Sequence, residues 1–149
     1  MRVRRALAAA AIAALAFPTF PPSIAPATEL PGPCPLEPRA GETVQHFARR
    51  LIRCAVERWP VPGGAERAIC IARRESGLDP SAISPTGDYR GLFQHARESW
   101  PTRYETFTRE AWELPEPARN GRTNAIVTVR MVRRYGGWGP AGWPAKDCR

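Results

Sequence analysis

Apolar residues first fall into a regular rhythm at Val44. Val44, Phe47, Ala48, Leu51, Ile52, Ala55, Val56 and Trp59 recur at i, i+3, i+4, i+7, i+8, i+11, i+12 and i+15, the 3.6-residue period of a helix with one buried stripe. Arg49, Arg50, Arg53, Glu57 and Arg58 fall on the other side, Thr43 is placed to cap the start, and Pro60 ends the run. After the turn Pro62-Gly63-Gly64, the residues Ala65, Ala68, Ile69 and Ala72 mark the stripe of a second helix that Gly77 stops. Turn formers dominate from Asp79 to Gly91. A short helix is expected through His95–Trp100, closed by Pro101, followed by a polar, irregular stretch over 101–121 with Pro115 and Pro117. In the segment Thr123–Tyr135 the β-branched Ile126, Val127, Val129 and Val132 would suit a strand. Its length and the Gly136-Gly137 that follows favour a helix. The chain thus reads as mainly α, a small helical domain with a long irregular middle segment.

Ahead of this pattern, three arginines precede an apolar run from Ala6 to Phe17. That run is too short to span a bilayer and has the form of an export peptide, with Ala25-Pro26-Ala27 as its cleavage site. A retained membrane anchor is the alternative, opposed by Pro18, Pro21 and Pro22, which interrupt any longer helix. The expected organisation is an export peptide over 1–27, a Pro-rich lead-in over 28–42 and one domain over 43–149. The mature chain would be secreted and associated with the cell wall.

Cys34, Cys54, Cys70 and Cys148 make an even set in an exported chain, which points to two disulfides with three possible connectivities. Chain position favours Cys54–Cys70 between neighbouring helices and Cys34–Cys148 between the two ends. No C-x-x-C occurs, and His46 and His95 lie far from the cysteines in sequence, so no metal is expected. Loss of Arg2, Arg4 and Arg5 with the export peptide would lower the formal charge from +8 to +5. Such a balance suits a polyanionic wall or an acidic membrane surface; the export signal argues against nucleic acid.

Three residues beyond Ala72 the second helix's stripe reaches Glu75. Partial desolvation and the negative end of a helix dipole both disfavour a charged carboxylate. A carboxyl group held there is suited to donating a proton to a glycosidic oxygen. The competing reading has Glu75 turned outward to pair with Arg73, Arg74 or solvent.

Arg74-Glu75-Ser76-Gly77-Leu78-Asp79-Pro80-Ser81-Ala82-Ile83-Ser84 resembles the first motif of the soluble lytic transglycosylase family. Gly91-Leu92-Phe93-Gln94 resembles the second, Asn124-Ala125-Ile126 the third, and Tyr135-Gly136-Gly137-Trp138 the endings of actinobacterial members related to resuscitation-promoting factors. The likeness spans residues 44–143 and implies a lysozyme-like fold with a substrate groove. It implies cleavage of the β-1,4 bond between N-acetylmuramic acid and N-acetylglucosamine, with Glu75 as acid and then base. It also implies action on peptidoglycan strands. No cofactor is expected, the chain is expected to be a monomer, and with no second long apolar segment it should have no membrane partner once the export peptide is gone.

Ser84, Gln94 and Asn124 would meet acetamido groups, Gly91 would let backbone approach sugar, and Tyr89, Tyr135 and Trp138 would stack on pyranose faces. The alternatives are a turn hydroxyl for Ser84, a helix cap for Asn124, a turn glycine for Gly91 and core packing for the aromatics. His95, where many members have an apolar residue, would hydrogen-bond substrate or lie buried and satisfied. Asp79 and Asp88 are candidates for a second carboxylate, although substrate assistance makes a single acid sufficient. Gly87 to Gly91 is one residue longer than the family's usual spacing, and the Ala-Tyr-Asn-Ala-Gly pattern is absent. A non-catalytic wall-binding domain and a basic structural protein of the envelope are the rival functions.

Overall fold

The computed structural model describes residues 33–34, 37–144 and 146–148. The expected export peptide and much of the lead-in lie outside the described residues. Among the described residues four helices carry the fold: α1 (Val44–Arg58), α2 (Gly64–Ser76), α3 (Trp100–Phe107) and α4 (Gly121–Arg134). A two-stranded antiparallel hairpin, β1 (Tyr89–Arg90) and β2 (His95–Ala96), and a 3₁₀ turn over Glu110–Trp112 complete the elements. Among the described residues, no helix is long and apolar enough to cross a membrane.

The periodic segments fold as their patterns predict. Thr43 caps α1 by accepting from the His46 amide at 3.2 Å, and Ala48, Leu51, Ile52, Ala55 and Val56 are buried. Gly77 ends α2 at φ +66°, a left-handed conformation that glycine adopts without steric cost. α4 is the central element, with every residue from Gly121 to Val129 buried. It packs on α1 and on α3, while α2 lies against α1. A helix enclosed on every side needs apolar residues all round, which is why the β-branched residues that resemble a strand pattern form a helix here. Its N-cap is Asn120, whose side chain accepts from the Thr123 amide.

Two expectations are corrected. His95 and Ala96 form β2 rather than opening a helix, and the helix begins at Trp100. Pro101 therefore lies in the first turn of α3, where the missing amide proton has no partner to lose, instead of closing a helix. The disulfides join Cys34 to Cys54 and Cys70 to Cys148, not Cys54 to Cys70 and Cys34 to Cys148. Cys70 is two residues from both Ala68 and Ala72, which are fully buried. Two residues are about 200° around a helix, so Cys70 points away from the stripe and receives the C-terminal segment instead. On α1, Cys54 receives the lead-in. Glu42 fixes that entry by accepting from the Arg39 amide and from Nε and Nη2 of Arg50 at 2.6–3.0 Å. The hydrogen bonds from Arg50, then the one from Arg39, lower its carboxyl from 4.5 to about 2.

Candidate active site

Glu75 stands in the last turn of α2, with its side chain 26% exposed. Its Oε1 accepts from Nη2 of Arg74 at 3.0 Å, the outward pairing that spacing left open. An exposed pair of this kind is worth at most about 1 kcal/mol, so a ligand with its own hydrogen bonds can displace Arg74.

Ser76 links this helix end to the hairpin. Its Oγ donates to the Leu92 carbonyl at 2.8 Å and is also 3.1 Å from the Ala72 carbonyl. The loop Gly91–Gln94 between β1 and β2 turns inward, burying Leu92 and Phe93 completely. Buried backbone groups of the loop find partners in neighbouring elements. The Phe93 amide donates to Oδ1 of Asn124 at 2.9 Å, and the Phe93 carbonyl accepts from Nε1 of Trp143 at 2.9 Å. The Gly91 amide donates to the Ala82 carbonyl at 2.8 Å. The three segments Glu75-Ser76, Gly91–Gln94 and Asn124 are therefore hydrogen-bonded into one unit.

That unit reassigns four residues expected to meet sugar. Asn124 is fully buried; Nδ2 donates to the Ala118 carbonyl at 2.7 Å while Oδ1 holds Phe93, so both ends of its amide are used inside the fold. His95 is also fully buried. Nη1 of Arg103, which can only donate, lies 2.9 Å from its Nδ1. Nδ1 is thus the acceptor, and Nε2 donates to Oγ1 of Thr128 at 2.8 Å, which in turn donates to the Asn124 carbonyl at 2.8 Å. Burial first, and the Arg103 charge second, hold the imidazole well below its ordinary value. Trp138 is buried against Phe93 and donates to the Pro62 carbonyl at 2.8 Å, a packing role. Gly91 is buried at φ +80°, and a Cβ there would overlap the Ala118 carbonyl oxygen and the Asn124 amide nitrogen. The close approach it permits is to Ala118, not to a sugar.

The remaining candidates stay near solvent. Gln94, half-buried at φ +49°, donates through Nε2 to the Gly91 and Ala82 carbonyls. Ser84 accepts from the Tyr89 amide at 3.0 Å, and the Tyr89 ring is exposed. Asp88 and Tyr89 line an open depression of about 610 Å³ with Ala96, Arg97, Glu98 and Pro101. Asp79 accepts from the backbone and hydroxyl of Ser81 at 2.8 and 2.7 Å, a local turn bond. Tyr135 is exposed but sits past the C-terminal end of α4, packed on Phe107. That is about 16 Å along the helix from Asn124, so it does not join the hairpin group. Ser76 is the residue that sequence reasoning left without a role, although it stood beside Glu75 in the motif.

Comparison of the chain with known protein families, curated proteins and solved structures finds no match.

Proposed function

We propose that this chain is a peptidoglycan-cleaving glycosidase with Glu75 as its one catalytic carboxyl group. The supporting observation is the bond from Ser76 to the Leu92 carbonyl. It ties the helix end bearing Glu75 to the loop bearing Gln94, as a groove built from those two motifs requires. In this reading a glycan strand lies along the hairpin, near Tyr89, Ser84 and Gln94, and displaces Arg74 from Glu75. The Glu75 carboxyl group gives a proton to the oxygen between N-acetylmuramic acid and N-acetylglucosamine as the anomeric C–O bond breaks. The resulting carboxylate then takes a proton from the incoming hydroxyl. If that hydroxyl is the sugar's own C6-OH the product is a 1,6-anhydro sugar; if it is water, a reducing end. The two disulfides suit an extracellular setting.

The Arg74–Glu75 pair is the one feature that favours a second reading, a domain that holds wall glycan without cutting it. Mass spectrometry of purified peptidoglycan after incubation with the folded protein separates the two. Soluble muropeptides, anhydro or reducing, are expected; intact sacculi with bound protein would establish the binding domain instead.

A further inference from the structure

At the end of the molecule where α1 and α4 finish, two tryptophans organise a group of arginines. Trp59 and Trp112 have ring centroids 5.4 Å apart. Arg130 of α4 lies over both rings, at 5.6 Å from Trp59 and 4.8 Å from Trp112. Its Nη1 donates to the Phe107 carbonyl at 2.6 Å. Arg58 covers Trp59 at 5.8 Å and Arg109 covers Trp112 at 5.5 Å. Exposed Arg133 and Arg134 extend the group and, with Trp59, Phe107 and Arg130, line a depression of about 490 Å³. None of these five arginines has a carboxylate ion pair among the described residues, although Glu57 and Glu110 are neighbours in sequence. Burial, and then the charge of Arg109, lower the proton affinity of Arg130.

Five guanidinium groups held close together without counter-charges repel one another. The cation–π contacts offset this by only about 0.5–1 kcal/mol each at an exposed site. A ligand carrying several anionic groups would relieve that repulsion and match the planar fork that arginine offers to carboxylate or phosphate. We propose that this surface docks a polyanionic glycan strand. The observations disfavour two other classes of polyanion. Single-stranded nucleic acid binds by stacking bases on free aromatic faces, whereas here guanidinium groups already lie over both indole rings. A lipid surface is gripped by exposed apolar side chains, and of the large ones exposed, Val44, Ile83, Tyr89 and Tyr135, only Tyr135 borders this patch, through Phe107.

The surface is separate from Glu75. Trp59 precedes the start of α2, and Glu75 lies near its far end, about 16 Å along the axis. Docking therefore stands independently of the catalytic reading and would hold the protein on an anionic strand while the hairpin side stays free.

The test is titration calorimetry of the whole disulfide-bonded protein with polygalacturonate, using neutral dextran as control. Polygalacturonate binds, dextran does not, and R133A/R134A weakens binding about tenfold, equivalent to about 1.4 kcal/mol. Raising the salt from about 50 to about 200 mM weakens binding of the unaltered protein further than that of the variant. R73A/R119A, which removes the same charge elsewhere, stays within about twofold, and Glu75→Gln binds normally whatever its activity. Equal binding by R133A/R134A, equal loss in R73A/R119A, or tighter binding to phosphatidylglycerol vesicles or an oligonucleotide overturns the proposal.

Discussion

Replacing Asn124 by alanine removes two buried hydrogen bonds at once. The Phe93 amide loses its acceptor at 2.9 Å and the Ala118 carbonyl its donor at 2.7 Å. Each polar group left unsatisfied in a buried setting costs about 1–3 kcal/mol, so the pair sums to about 2–6 kcal/mol. Against a typical total of about 5–15 kcal/mol, even about 3 kcal/mol, in the lower half of the range for the pair, is a large share. With a urea slope near 1.5 kcal/mol per molar, it lowers the unfolding midpoint by about 2 M. Asn124→Asp supplies the control. Ionised, it places a carboxylate oxygen against the Ala118 carbonyl; protonated, it can donate there as the amide does. Measured against Asn124→Ala, which shares every other pH dependence of the fold, its stability should therefore rise as the pH is lowered from about 7 towards 4. Urea titrations followed by tryptophan fluorescence measure both. An Asn124→Ala protein within about 0.5 kcal/mol of the parent, but with a raised KM for glycan, would refute the clamp and return Asn124 to the groove.

His95 predicts an acid limit to stability. It is neutral in the fold, whereas an unfolded histidine takes a proton near pH 6.5. Below that pH the unfolded state binds more protons, so stability is full above about 6.5 and declines as the pH falls, by up to about 1.4 kcal/mol per pH unit. His95→Gln, compared by urea unfolding at pH 7.5 and 5.0, should lose this decline; Glu42 does not confuse the window, because its contribution is lost only below 4.5. An unchanged decline would show that His95 is not its source. Opening Cys70–Cys148, which spans 78 residues, should cost about 4.5 kcal/mol, and opening Cys34–Cys54, which spans 20, about 3 kcal/mol by loop entropy. Non-reducing peptide mapping should recover those pairs, and a peptide linking Cys54 to Cys70 would contradict the connectivity.

Where a long stretch of chain repeats one pattern, the fold was legible. α1 and α2 carry an apolar stripe and a clear stop signal each, Pro60 and Gly77. α4 could be recognised by length, although its buried β-branched residues imitate a strand. The middle was not legible, because a two-residue strand has no period to detect and Pro101 can end one helix or start the next. The disulfides needed orientation as well as chain position. The offset of Cys70 from Ala68 and Ala72 held that information, but only the folded positions of the two chain ends show what it meets. For the site, the stripe located Glu75 in the last turn of α2 but left its direction open, and the structure turns it outward to Arg74. Asn124, His95 and Trp138 have side chains equally suited to sugar or to an internal partner. Their complete or near-complete burial, with internal hydrogen-bond partners, assigns them to the frame. Gly91 likewise needed the position of Ala118, 27 residues further on, before its purpose was visible.

The most direct test of the glycosidase reading is the rate at which Glu75→Gln releases soluble fragments from purified peptidoglycan, beside the unaltered protein. General acid catalysis contributes about 10²–10⁴-fold, so release should fall by at least a hundredfold. The partly exposed site should leave the circular dichroism spectrum and urea midpoint nearly unchanged. Release within tenfold of the parent, from a variant that is equally folded, would contradict the role of Glu75.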